Sequence, residues 1–330
     1  MSDRIQLSHG DGGKKTAALI KEVFYKHFGN ELLQHSRDAA VFPMEQGRLA
    51  FTTDSFVVQP LFFSGGDVGK LAVCGTVNDL VTAGAKPLYL SAAFVIEEGF
   101  EIEWLERIAQ SMGDVCRQVG AKIVTGDTKV VEKGCADGLY INTTGIGVVI
   151  ESYESRSLSE GDEIIITGTI AEHGTTILAQ RHGFGNEDLK SDCKPLSHII
   201  DVPGDTIRYV KHMADPTRGG LATLLCEMAE HESVGMIIEE EKIPIDPRVL
   251  ALHQLLGTDP LFFASEGRLV LFVEKSYGAH ICRLIQEAAE NAAVIGTVCT
   301  DPRKIVRLKT PIGGQRIISA LTNEMIPRIC

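Results

Sequence analysis

Ile141-Asn142-Thr143-Thr144-Gly145-Ile146-Gly147-Val148-Val149-Ile150, then Glu151-Ser152-Tyr153-Glu154-Ser155-Arg156-Ser157-Leu158-Ser159-Glu160-Gly161, then Glu163-Ile164-Ile165-Ile166-Thr167 divide the chain. A run of strand character ends, a polar stretch intervenes, and a second β-branched run begins. Strand, polar linker and strand predict a domain boundary at this point. With 330 residues, at roughly 150 per domain, each half is long enough to bury its own core.

Upstream, apolar periodicity predicts helices over 17–28, 68–83 and 102–119 and strands over 49–53 and 141–150. Downstream it predicts a strand at 163–167, a turn or helix start at His173-Gly174-Thr175-Thr176, and a helix after Asp215-Pro216-Thr217-Arg218-Gly219-Gly220. A strand at 268–273, a helix at 279–289 and a strand at 294–298 complete the expectation. Strands and helices mixed in both halves point to an α/β or α+β protein of two domains, with no solenoid-type repeat.

The formal charge of −12 speaks against nucleic acid or an anionic membrane as partner, since both are bound mainly through clustered Lys and Arg. No apolar run approaches the ~20 residues that span a bilayer, and Met1-Ser2-Asp3-Arg4 leads into no apolar signal segment. A cytoplasmic protein is expected. The eight cysteines form no Cys-x-x-Cys pair and no zinc-spaced cluster, so seven of them are expected to be small core residues. Cys330 differs: it ends the chain, where mobility and exposure are the rule.

Several residues have types suited to phosphate chemistry. Gly10, Gly12 and Gly13, followed by Lys14 and Lys15, would let backbone N–H groups approach phosphate, although no Walker loop is present and a flexible leader explains the segment as well. Thr52-Thr53-Asp54-Ser55-Phe56-Val57-Val58 is echoed by Thr125-Gly126-Asp127-Thr128-Lys129-Val130-Val131. In each copy an Asp follows an apolar run, where a strand would be ending, so Asp54 and Asp127 are candidates to converge on a cation. Asp79 lies off the apolar stripe of Val73, Val77, Leu80 and Val81, facing either a site or water. For each of the three, a turn or cap role is the ordinary alternative. Lys129 adds a cation near Asp127.

The segment from Asp215 to Gly220 would bind an anion through Arg218, or simply open a helix. Glu266, in Ser265-Glu266-Gly267, is a general base or an exposed turn residue. His9 and His173 sit beside glycines and are equally well read as polar loop residues, and nothing resembles a Ser-His-Asp constellation.

Together, Ser8-His9-Gly10-Asp11-Gly12-Gly13, Asp38-Ala39-Ala40-Val41, Thr53-Asp54-Ser55, Val77-Asn78-Asp79-Leu80, Gly126-Asp127-Thr128-Lys129-Val130, Asp215-Pro216-Thr217-Arg218-Gly219-Gly220-Leu221, Ser265-Glu266-Gly267 and Pro327-Arg328-Ile329-Cys330 resemble the HypE family of hydrogenase maturation factors, the carbamoyl dehydratases. The resemblance covers nearly the whole chain, and its terminal motif is the most specific part. The other motifs are shared with aminoimidazole ribonucleotide synthetase, selenophosphate synthetase and thiamine-monophosphate kinase.

The resemblance implies an N-terminal ATP-binding and dimerisation domain over 1–155, a C-terminal α/β domain over 156–316 and a tail over 317–330. It implies a homodimer whose N-terminal sheets join into a barrel. It implies ATP and Mg2+ as cofactors, with Gly10, Gly12, Gly13, Asp38, Asp54, Asp79 and Asp127 binding nucleotide and the last three also holding metal. Cys330, Glu266 and Lys129 would be catalytic: HypF delivers a carbamoyl group to the Cys330 thiol, ATP-dependent dehydration leaves a thiocyanate, and a HypC–HypD complex receives the cyano group for the iron of a [NiFe]-hydrogenase. A selenophosphate synthetase would need a reactive cysteine in the glycine-rich N-terminal segment, whereas the first here is Cys74. A non-catalytic scaffold that docks its tail on a partner is the alternative of a different class. ATP turnover that depends on a carbamoyl donor separates the two.

Overall fold

Leu90, Ala92, Phe94 and Ile96 are buried and alternate with more open positions along Ala85–Glu97, and this period of two makes a 13-residue strand, β4. The computed structural model describes residues 4–6, 19–30, 47–184, 188–320 and 328–330. In the N-terminal half, a π-helical turn at Ile20–Phe24 runs into a short helix, α1 (Tyr25–Phe28). There follow β1 (Arg48–Phe56), the small hairpin β2 (Phe62–Phe63) and β3 (Gly66–Asp67), α2 (Val68–Thr82), β4, α3 (Ile102–Val119), β5 (Lys122–Val131) and β6 (Leu139–Val149). β1, β6, β4 and β5 form one sheet in that order; β4 and β5 are parallel and joined through α3, and the other pairs are antiparallel.

Asp67 caps α2 by accepting the N–H groups of Gly69 and Lys70 at 2.8 and 3.0 Å. One side of α2 lies on the sheet, where Gly145 leaves room for Thr76 and Leu80. α3 packs against α2 through Ile108 and Met112, and buries Leu105, Ile108, Ala109, Met112, Val115 and Cys116 as a single stripe. The opposite face of the sheet is open, with Leu49 48%, Phe51 70% and Val95 36% exposed. At the rim of this layer Trp104 meets Phe62 and Phe100 edge-on, with centroids 5.7 and 6.0 Å away.

The C-terminal half holds β7 (Glu163–Ile166), α4 (Glu172–Arg181), β8 (Val210–Ala214), α5 (Gly220–Glu232), β9 (Gly235–Glu239), α6 (Pro247–Leu256), β10 (Val270–Val273), α7 (Gly278–Ala288), β11 (Ala293–Cys299), β12 (Val306–Lys309) and β13 (Gln315–Ile318). Its seven-stranded sheet has the order β13-β12-β9-β11-β7-β10-β8, and β12–β9 is its parallel pair. The two-domain mixed fold agrees with the sequence expectation, and α3 has the expected limits. β1, however, runs past Thr53, so Asp54 lies within the strand rather than beyond it. Cys135 is exposed, and Cys226 and Cys299 are half-buried, so they are not the core residues expected. Among the described residues, no helix is long and apolar enough to cross a membrane.

Candidate functional site

Along β1 the side chains of Thr52, Asp54 and Phe56 share one face of the sheet. Phe56 is buried against α2, so Asp54 is carried toward the same helix. The Thr52 hydroxyl donates to Asp79 Oδ2 at 2.8 Å, and Ser55 N–H donates to Asp54 Oδ1 at 2.8 Å. Burial raises the Asp79 carboxyl above its ordinary range, the Thr52 bond opposes this, and the nearby Asp54 charge adds to it. Of the two readings for Asp79, site and water, the structure places it toward Asp54.

Asp215 joins them from the end of β8. Burial, helped by Asp79 and Asp54, pushes its carboxyl up to about 7. Gly219 and Gly220 follow in the left-handed region at φ 75° and 62°, and a Cβ on Gly220 would lie 2.6 Å from Leu261 O. These glycines form the entry to α5, while Arg218 points to solvent. The segment therefore contributes Asp215, a residue that sequence reasoning passed over in favour of Arg218.

Glu266 is 3% exposed, which overturns its reading as an exposed turn residue. Its Oε1 has no hydrogen-bond partner among the described residues. Burial foremost, then Cys193, Asp215, Asp192 and Asp54, hold its carboxyl well above the usual range. The main chain around it is fixed by Asp192, which accepts the N–H groups of Glu266 and Gly267, each at 3.1 Å. A Cβ on Gly267 would lie 1.9 Å from Asp192 O, so this close approach requires glycine. Asn78, next to Asp79 on α2, donates to Lys194 O and Glu266 O at 3.2 Å and accepts from Leu196 N–H at 2.8 Å. Beside this loop lies a cavity of about 350 Å³ bordered by Glu172, Asp192, Lys194, Arg248 and Arg268. Arg268 is ion-paired with Glu172.

Asp127 and Lys129 lie elsewhere. Register places Asp54, Thr143, Ala92 and Gly126 in one row across the sheet, and Ser55, Asn142, Ala93 and Asp127 in the next. Adjacent rows face opposite ways, so Asp127 and Lys129 are on the open face. β1 and β5 are moreover the two edges of the sheet, three strand spacings or about 14 Å apart. The expected convergence of Asp54 and Asp127 does not occur within one chain. Among the described residues, no group of three or more His, Cys, Asp or Glu closes on a metal position. Gly10, Gly12, Gly13 and Asp38 lie outside the described residues.

The chain end is docked, contrary to the expectation of an exposed terminus. Val57 N–H donates to Cys330 O at 3.3 Å, and Gln59 N–H donates to Arg328 O at 3.2 Å, just beyond β1. Ile329 is buried, and its carbonyl accepts from His173 Nε2 at 2.7 Å. Arg181 also donates to Arg328 O, and the Arg328 side chain reaches Val57 O and Asp137. Cys330 is half-buried. His173 is wholly buried on α4, not a loop residue.

A family model for the AIR synthase related protein, N-terminal domain, matches residues 36–149, and one for the C-terminal domain matches 159–309. The carbamoyl dehydratase HypE of Rhizobium leguminosarum bv. viciae is 44% identical over 333 residues, covering 99% of this chain and 95% of the relative. A crystal structure of hydrogenase maturation protein HypE in complex with ATP superposes with a TM-score of 0.92 at 39% identity, covering 98% of this chain and 99% of that one. A chain from a crystal structure of a HypE–HypF complex gives 0.81 at 42% identity, covering 92% and 100%. Matched in both halves by these domain models and along its whole length by these relatives, the chain belongs to the HypE family of carbamoyl dehydratases, within the AIR synthase related proteins.

Proposed function

We propose that the protein is an ATP-dependent carbamoyl dehydratase that converts an S-carbamoyl group on Cys330 to a thiocyanate for hydrogenase maturation. The observation that carries this reading is the docking of Cys330 on Val57, three residues or about 10 Å along the chain from Asp54. Family membership and the ATP complex of a relative support the nucleotide. Asp54 and Asp79 offer carboxylate oxygens, and burial first, with the nearby Asp54 charge adding to it, raises the Asp79 carboxyl; a divalent cation would offset both, so the residues fit Mg2+. Magnesium, when bound, supplies neutralisation of phosphate charge.

In the reaction the carbamoyl oxygen of Cys330 attacks the γ-phosphorus, the bond to ADP breaks, and one nitrogen proton is lost. The carbon–oxygen bond then breaks as phosphate leaves, the second nitrogen proton is lost, and the nitrile forms. An amide-type oxygen is a poor leaving group, and phosphorylation replaces hydroxide loss by phosphate loss. Glu266, buried with a free oxygen and a raised pKa, is suited to accept a nitrogen proton.

The open sheet face, with Phe51 and Leu49 on it, supports a homodimer whose two sheets close into a barrel. Asp127 and Lys129 share that face and would lie toward the second protomer. HypF as carbamoyl donor, a HypC–HypD complex as cyano acceptor and a cytoplasmic setting complete the proposal; the HypE–HypF complex of a relative supports the first. Intact mass after incubation with HypF, carbamoyl phosphate and ATP tests it. The chain should gain a carbamoyl group and then lose water, and Cys330→Ala should do neither. Adducts on another cysteine, or no loss of water, would refute the reading.

A further inference from the structure

We propose that His173 is a positioning residue for the terminal thiol: by holding the Ile329 carbonyl it keeps Cys330 in register beside the end of β1. This rests on the assignment of Cys330 as the carrier.

A carbonyl only accepts, so Nε2 of His173 carries the proton that bonds Ile329 O at 2.7 Å. Burial keeps the imidazole neutral, so Nδ1 accepts from the Ser191 hydroxyl at 2.8 Å. Ser191 Oγ in turn accepts Cys193 N–H at 3.1 Å, and Asp192 between them holds the main chain of Glu266 and Gly267. One short loop thus orients both the residue that grips the tail and the candidate base. The ring is braced edge-on by Phe63, centroids 5.3 Å apart.

The neighbouring residue serves the same end. A Cβ on Gly174 would come within 3.2 Å of Ile329 Cδ1 and 2.9 Å of Ala264 N, so glycine there leaves the space that Ile329 fills. Arg328 holds the left-handed conformation, φ 56°, that turns the chain into this seat. A histidine that only filled the core would gain little by pairing with a chain end, whose ordering costs entropy. The pairing gains a purpose if the thiol must be presented in one place and released from it.

The experiment uses the full chain and two readouts. The first is the rate at which iodoacetamide alkylates Cys330 without nucleotide, read by mass on the fragment beginning at Met325 that cleavage after Glu324 releases. The second is single-turnover dehydration of the carbamoylated protein with ATP. His173→Phe keeps a ring against Phe63 but removes the donor. It should raise alkylation and slow dehydration, each by about tenfold, the worth of one buried hydrogen bond, with the ATP concentration for half-maximal rate unchanged. His173→Gln, which restores an N–H donor, should recover part of both, and Ser191→Ala should fall between. If His173→Phe does not fold, the Gln and Ser191→Ala variants carry the test. Wild-type alkylation in the folded variants overturns the anchor, and raised alkylation with wild-type dehydration overturns the positioning role. Should the wild-type chain form no thiocyanate at all, the functional reading fails, while the alkylation readout still decides whether His173 holds the tail.

Discussion

The side-chain amide of Asn78 donates to the carbonyl of Glu266 at 3.2 Å, from the position immediately before Asp79. Neighbouring residues on one helix therefore divide two tasks: Asp79 faces Thr52 and Asp54 of β1, and Asn78 fastens the main chain of the other domain's candidate base. Asn78→Ala leaves Lys194 O, Glu266 O and Leu196 N–H without this partner. Urea unfolding should give a loss of about 2–3 kcal/mol, in the range for unpaired buried groups. A loss no larger than that of a surface substitution would show that the amide does not tie the domains together.

Asp79→Asn keeps the shape that receives the Thr52 hydroxyl and removes the charge. ATP turnover should fall by about 10²-fold while the melting temperature holds or rises, because electrostatic stabilisation of transferring phosphate is lost. Turnover at the wild-type rate in saturating magnesium would remove Asp79 from the nucleotide site.

The Asp215 carboxyl, at about 7 in the folded protein against an ordinary 3.8, binds its proton more tightly when folded. Its contribution to stability is whole below the unfolded value and is lost as pH rises through about 7. Glu266, shifted in the same direction, adds to the trend. Asp215→Asn should therefore melt above the wild type at about pH 8 without divalent cation, and the difference should shrink toward about pH 5. Magnesium with ATP should narrow it by stabilising the wild type. A pH-independent difference in calorimetry would contradict this account.

Glu266→Gln removes a buried carboxyl that has an unpartnered oxygen, so it should not lower stability. Nucleotide binding should persist, and single-turnover dehydration should slow by about 10²-fold or more, since an amide cannot take a proton as a carboxylate does. Dehydration at the native rate would leave Glu266 a structural residue.

Phe51 is 70% exposed on the open sheet face, and the proposed dimer would cover it. Sedimentation should find a dimer for the native chain and a monomer for Phe51→Glu, with ATP turnover reduced in the monomer. A native chain that stays monomeric well above micromolar concentration would end the barrel proposal.

What could be read from sequence follows from which signals are local. The stripe of α3 is complete in its own residues, so its limits were legible. β4 alternates as clearly, but Pro87 near its start and a register shift between Pro87 and Tyr89 obscure it. The echo between Asp54 and Asp127 compared positions along two strands, whereas direction depends on parity across the sheet, and one residue of offset turns a side chain to the other face. Glu266 and His173 were seen as residue types, but their burial arises where elements distant in sequence pack together, and no local pattern encodes that. The terminal motif was legible as a family resemblance; its seat was not, because that is built from Val57, Gln59, His173 and Arg181.

Trp104, the chain's one tryptophan, lies edge-on to Phe62, whose neighbour Phe63 abuts His173. The molecule thereby contains an intrinsic optical probe two aromatic contacts from the ring that grips its last peptide carbonyl. Were the C-terminus to leave its seat, a change in indole emission would report it in real time, with no label attached to the thiol whose freedom is in question.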